Sequence, residues 1–275
     1  MSKETRVKER ITVKMAKEFL DSRRENQRNI SPRHTMEIVD AILMGRWRYN
    51  GESIKFDIDG CMVDGQHRCV AAIKAGKSFI SDIVYGLPVD AYYTIDYKHK
   101  QRSMGDILKV EGEQNTCRLA SALAWHIAYN ANAITSSGKK ARVSPDAMQI
   151  SAELKHHPKM RDSSFYVSKC RHLMGSAPLA FLHYLFSQKD SEMADMFLDQ
   201  LATGENLSKT NPALYIRKIL LEDKIKNKAK LPIGEKVAYI IKGWNLLRNR
   251  KVASSVNSIK WKSTGEHPEP FPKVL

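Results

Sequence analysis

An α+β amino-terminal domain followed by an all-helical domain is what the sequence predicts, and three observations carry that expectation. Period-two apolar alternation and hairpin signals are confined to the first 110 residues. Apolar spacing from residue 111 to 262 is helical. Residues 263–275 hold Pro268, Pro270 and Pro272 and predict an extended tail. At 275 residues, 42% of them hydrophobic and 27% charged, the chain has the composition of a globular protein with one large or two small domains. Apolar runs such as 179–186 are far shorter than the ~20 residues of a membrane span, so no membrane is expected as a partner.

Residues 11–20 carry Val13, Met15, Ala16, Phe19 and Leu20 on one helical face. A second helix is bounded by Ser31 as cap, Pro32 at the first helical position and Gly45 as stop. Ile54, Phe56 and Ile58 alternate as in a strand over 53–59. The pair Asp59-Gly60 then predicts a hairpin returning through 61–63. A short helix with Val70, Ala71, Ala72 and Ile73 ends at Gly76, and strands are expected over 79–85 and 91–96. Further helices are expected over 114–130, 144–156 (Ser144 cap, Pro145 first), 163–174, 178–188, 191–202, 212–223 and 232–249.

Lys and Arg number 45 against 30 Asp and Glu, a formal charge of +15. Residues 224–262 hold 11 of the cations, Lys226, Lys228, Lys230, Arg248, Arg250 and Lys251 among them, against the single acid Glu235. So dense a cluster repels itself unless an anion neutralises it, which points to nucleic acid. Trp244, Trp261 and Tyr239 lie among these cations, where they could stack on unpaired bases, while each taken alone reads as a core residue. The alternative is a solvated basic face that binds nothing specific.

The four cysteines are too scattered for a disulfide framework, and no apolar leader opens the chain, so a cytoplasmic location is expected. Only Cys170 with His172 approaches metal-ligand spacing. The pair His156-His157 ends a helix, where a cation complements the dipole, and His126 and His183 lie on apolar helices as packed residues.

The run Asp64-Gly65-Gln66-His67-Arg68 sits between a strand and a helix. A helix start presents N–H groups at the positive end of the dipole, Gly65 permits close approach, and His67 and Arg68 add side-chain donors: a phosphate-binding arrangement. An arginine opposing the dipole there is better explained by a ligand than by helix stability. Asp57, Asp59, Asp64 and Asp96 are the nearest acids. Two of them could hold magnesium through triphosphate oxygens, with Asp64 and Asp96 better placed than Asp59, which reads as a turn residue.

The run Val63-Asp64-Gly65-Gln66-His67-Arg68-Cys69-Val70-Ala71-Ala72, after a hairpin and before a helix, resembles the phosphate-binding motif of the ParB/sulfiredoxin superfamily. The resemblance spans about residues 11–106 and includes Gly45-Arg46-Trp47 and Asp96, Arg102 and Asp106. The remainder looks like the helical part of ParB-like proteins of phages and bacteria. It implies a small mixed sheet and a nucleotide, ATP or CTP, held by Gly65, Gln66, His67 and Arg68. Asp64, His67 and Arg68 would then stand where chemistry occurs. Sulfiredoxin chemistry needs a cysteine just before the His-Arg pair, and Gln66 occupies that place; Cys69 lies on the following helix and is expected buried.

The readings left open are a DNA-associated protein that uses the nucleotide as ligand or switch, a phosphotransferase acting on a small molecule or modified base, and a ParB-like nuclease. The last would need a metal cluster that the sequence does not pair. A homodimer is compatible with any of them.

Overall fold

The computed structural model describes residues 4–23, 29–95, 102–139, 144–225 and 230–275. Two compact units divide the chain, residues 1–100 and 101–275. The first is α+β. Strands β1 (Thr5–Ile11), β2 (Ser53–Asp57), β3 (Met62–Asp64) and β4 (Phe79–Leu87) form one mixed sheet in the order β1-β4-β2-β3. β4 pairs antiparallel with β1 and parallel with β2, and β2 pairs antiparallel with β3.

Helix α1 (Val13–Asp21) is capped by the Thr12 side chain, and α2 (Pro32–Leu43) by Ser31, which accepts from the His34 N–H as the sequence predicts. Helix α3 (Gln66–Ala75) begins directly after Gly65 and ends at Gly76 in a left-handed cap. The core under the sheet is Ile11, Ala16, Ile54, Phe56, Met62, Cys69, Ala72, Phe79 and Ile83, drawn from α1, α3 and the strands. On the other side of α3, Ala71 packs with Ile38, Val39 and Ile42 of α2. Trp47 of the Gly45-Arg46-Trp47 run joins both clusters and meets Phe79 edge-on at 5.8 Å.

One strand of this unit was not expected from the sequence, and one expectation needs correction. Residues 5–11 form an edge strand although six of its seven residues are exposed; their partner is backbone, so no apolar stripe marks them. The strand expected at 91–96 is a 3-10 turn over Ala91–Tyr93, and Asp96 lies outside the described residues.

The second unit packs helices α4 (Met104–Val110), α5 (Thr116–Asn130), α6 (Ala147–His156), α7 (Met160–Tyr166), α8 (Ser176–Ser187), α9 (Ser191–Thr203), α10 (Pro212–Ile225) and α11 (Ile233–Arg248). Their core includes Leu123, Phe181, Phe186, Phe197 and Trp244. α4 opens on a Ser103/Asp106 capping box, so Asp106 of the resemblance acts as a cap; α6 is capped by Asp146 with Gln149 rather than by Ser144. The helix expected at 163–174 is α7 plus a 3-10 turn over Val167–Cys170. A two-stranded hairpin, β5 (Ile134–Thr135) with β6 (Gly138–Lys139), interrupts the helices.

The tail is extended but anchored. Val274 N–H donates to the Tyr129 hydroxyl at 2.8 Å, Asn245 Nδ2 to Lys273 O at 2.8 Å, and Phe271 packs on the core. No described helix is long and apolar enough to cross a membrane.

Candidate functional site

The strand-to-helix turn takes the form that the motif predicts. β3 delivers Asp64 to Gly65, whose φ of +107° suits glycine, and α3 starts there without a side-chain cap. A β-carbon on Gly65 would stand 3.0 Å from Ile54 Cγ1, so the backbone approaches β2 closely.

The side chains around it hold one another. Asp64 Oδ2 accepts from Lys55 Nζ at 2.6 Å and lies 3.6 Å from Arg68 Nη2, while Oδ1 accepts the Gly65 N–H at 2.7 Å. Arg68 Nη2 donates to Ser53 O at 2.7 Å, and its Nη1 is buried without a hydrogen-bond partner. Gln66 and His67 are buried. The Nε2 of His67 accepts the Ser31 N–H at 3.0 Å, which ties the start of α2 to the turn.

Three of the expected ligand residues have specific partners in this geometry. The Nε2 of His67 accepts the Ser31 N–H, which places the ring proton on Nδ1 and makes that nitrogen the donor of the neutral imidazole. Asp64, expected as a magnesium ligand, has its carboxylate committed to Lys55, Arg68 and Gly65. Asp57 does turn work, its Oδ1 accepting from the Asp59 and Cys61 N–H groups at 3.0 and 2.9 Å. Cys69 is fully buried as expected, and burial pushes its thiol up to about 12, which leaves no thiolate near neutral pH.

The described cations of the basic segment do not gather into one patch. Lys226 and Lys228 lie outside the described residues. Lys230 lines a cavity of about 1090 Å³ within the helical unit, with Lys109, Arg118, Arg171, Lys224 and Lys236. Arg248 is three turns further along α11 than Lys236, roughly 18 Å at 1.5 Å per residue. It approaches Asp190 at 3.4 Å and lies over the Trp244 ring, and Arg250 and Lys251 follow it, exposed. The aromatics among these cations take the core reading: Trp244 is fully buried and stacks on Phe186 at 4.3 Å, and Tyr239 and Trp261 are buried together.

Within the cavity Lys236 is spent on Asp223, at 2.5 Å. Arg118 is spent on Ser164 O, on Ser168 Oγ at 2.9 Å and on Ser176 Oγ at 3.1 Å. Burial, with Arg171 nearby, lowers the Arg118 pKa. No carboxylate among the described residues pairs with Lys109, Arg171, Lys224 or Lys230. These four, from three parts of the chain, face a cavity large enough for a small anion or nucleotide. No local sequence signal links Lys109 and Arg171 to Lys230; the helix packing does.

A Ser163–His183–Asp195 chain has 2.8 Å links on both ring nitrogens, yet Ser163 is 2% exposed, so it is no hydrolytic nucleophile. Cys170 is buried and the His172 Nε2 lies 2.9 Å from Ala202 O, so the spaced pair of the sequence is not a metal site. Compared with protein-family models, curated proteins and solved structures, the chain matches none.

Proposed function

We propose that the protein is a ParB-like, DNA-associated protein that holds the phosphates of ATP or CTP at the Asp64–Arg68 turn. One observation carries this reading: the buried Arg68 Nη1 lacks a hydrogen-bond partner beside a left-handed Gly65 and a helix start with no side-chain cap. Buried donors in folded proteins are almost always satisfied, and a phosphate oxygen supplies what this one lacks. The positive end of the α3 dipole favours the same charge. Arg68 and Lys55 would balance the triphosphate; Asp64, already paired, does not fit as a magnesium ligand. DNA association draws on the net charge of +15 and on the unpaired cations of the helical unit.

Calorimetry with ATP and with CTP, with and without duplex DNA, tests this on the full chain and on Arg68→Ala, with circular dichroism to confirm folding. Nucleotide binding should be lost in Arg68→Ala while DNA binding persists. Replacing Arg171 and Lys230 by Ala should weaken DNA binding and flatten its salt dependence by about 0.9 per lost phosphate contact. A wild-type chain that binds neither nucleotide refutes the proposal, and phosphate transfer in the same mixtures would favour the phosphotransferase instead.

A further inference from the structure

His126, Glu153 and His157 come from three separate readings of the sequence, a packed histidine, an unremarked acid and a helix cap, yet the fold brings them together. His126 is on α5. Glu153 and His157 stand four residues apart at the end of α6, on one side of the helix. Their ligand-capable atoms all lie within 4.8 Å of one another. The His126 Nδ1 is 2.5 Å from Glu153 Oε1, and the His157 Nε2 is 3.7 Å from the same oxygen. We propose that these three side chains bind one divalent transition-metal ion of the zinc class.

The dimensions suit that ion. Tetrahedral coordination with bonds of ~2.1 Å sets ligand atoms roughly 3.4 Å apart, so Glu153 needs to back away from His126 by about 1 Å. Two imidazole nitrogens and one carboxylate favour zinc, cobalt or nickel over the oxygen-seeking magnesium and calcium.

The surroundings fit as well. The His157 Nδ1 is 2.7 Å from the Tyr184 hydroxyl, which leaves Nε2 as the ligand atom, and such a hydrogen bond to the second nitrogen is the usual support of a metal-bound histidine. Among the described residues Glu153 pairs with no lysine or arginine, unlike Asp64 with Lys55 and Asp223 with Lys236. Glu153 and His157 remain 20% and 31% exposed, giving the ion a path in and a water the fourth position. The site belongs to the helical unit and does not depend on the nucleotide reading.

The test uses the untagged full chain stripped with chelator. Titration with Co²⁺ is followed by its visible d–d absorption, and titration with Zn²⁺ by calorimetry. One equivalent should bind with the intense absorption of tetrahedral cobalt, Zn²⁺ should displace it, and Mg²⁺ should not. Glu153→Gln and His157→Gln should each weaken binding at least roughly tenfold; Tyr184→Phe should weaken it less. Both ligand positions are partly exposed, so these variants are expected to fold, and circular dichroism checks that. Absence of stoichiometric binding overturns the proposal, and so does stoichiometric binding that folded Glu153→Gln and His157→Gln variants leave unchanged.

Discussion

Replacing Gly65 by Ala probes the turn on which the nucleotide reading rests, and its cost follows from two separate terms. At φ +107° a residue with a β-carbon is strained, by about 1–3 kcal/mol. The new β-carbon would also meet Ile54 at 3.0, 3.2 and 3.3 Å from Cγ1, Cγ2 and Cα. Ile54 is fully buried on β2 and the nearest backbone atom belongs to the sheet, so crowding adds about 1–3 kcal/mol. The sum is about 2–6 kcal/mol. Gly60→Ala serves as the control: its φ is +77° but nothing lies within 4 Å, so only the left-handed backbone contributes, about 1–2 kcal/mol. Native-state hydrogen exchange over residues 53–76 reads the difference locally, with 1.4 kcal/mol corresponding to tenfold. Gly65→Ala should speed exchange roughly 30-fold or more, and Gly60→Ala roughly tenfold. Equal acceleration in the two variants would show that the approach to Ile54 costs nothing, and the argument for a bare backbone at residue 65 would fall.

Two further outcomes concern the helical unit. Lys236→Met removes the cation 2.5 Å from Asp223, which is 1% exposed and also accepts the Leu231 N–H, a loss of about 3–5 kcal/mol. Thermal unfolding should fall by roughly 6–20 °C for a unit of this size, and a drop of a degree or less would contradict the buried-pair argument. His183 is held by Ser163 and Asp195, under the Tyr166 ring and near Lys169 and Asp199, and burial lowers its pKa below the ordinary 6.5. Below that value the unfolded chain binds more protons than the native one, so the His183 contribution is full above pH 6.5 and is lost as pH falls beneath it. Melting curves across that window should slope less in His183→Gln than in wild type; equal slopes would remove His183 as the cause.

Elements announced by local chemistry were readable from residues alone. Ser31-Pro32 starts α2 and Asp59-Gly60 turns the β2–β3 hairpin, because caps and left-handed turns are decided within a few residues. β1 was not readable, since the charged edge strand Thr5–Ile11 is held by backbone pairing with β4 and shows no apolar period. The same division explains Trp244. Interleaved cations suggest a binding face, but its burial against Phe186 is set by α8, distant in sequence.

The candidate sites divide along the same line, and this bears on how chemistry is distributed in the chain. The Asp64–Arg68 turn is contiguous, so its form could be read; what could not be read is that Lys55 and Ser53 of β2 engage its charged groups. The cation-lined cavity and the His126–Glu153–His157 cluster are assembled by tertiary packing: α5 meets the end of α6, and Lys109, Arg171 and Lys230 line one cavity. A run of cations counted along the sequence is therefore a poor map of where the described cations gather. Lys230 and Arg248 share a segment of the chain but not a location, whereas Arg171, far from that segment, shares the cavity with Lys230. Substitutions chosen by spatial neighbourhood, Arg171 with Lys230, should therefore couple in anion binding, while Lys230 with Arg248 should act additively.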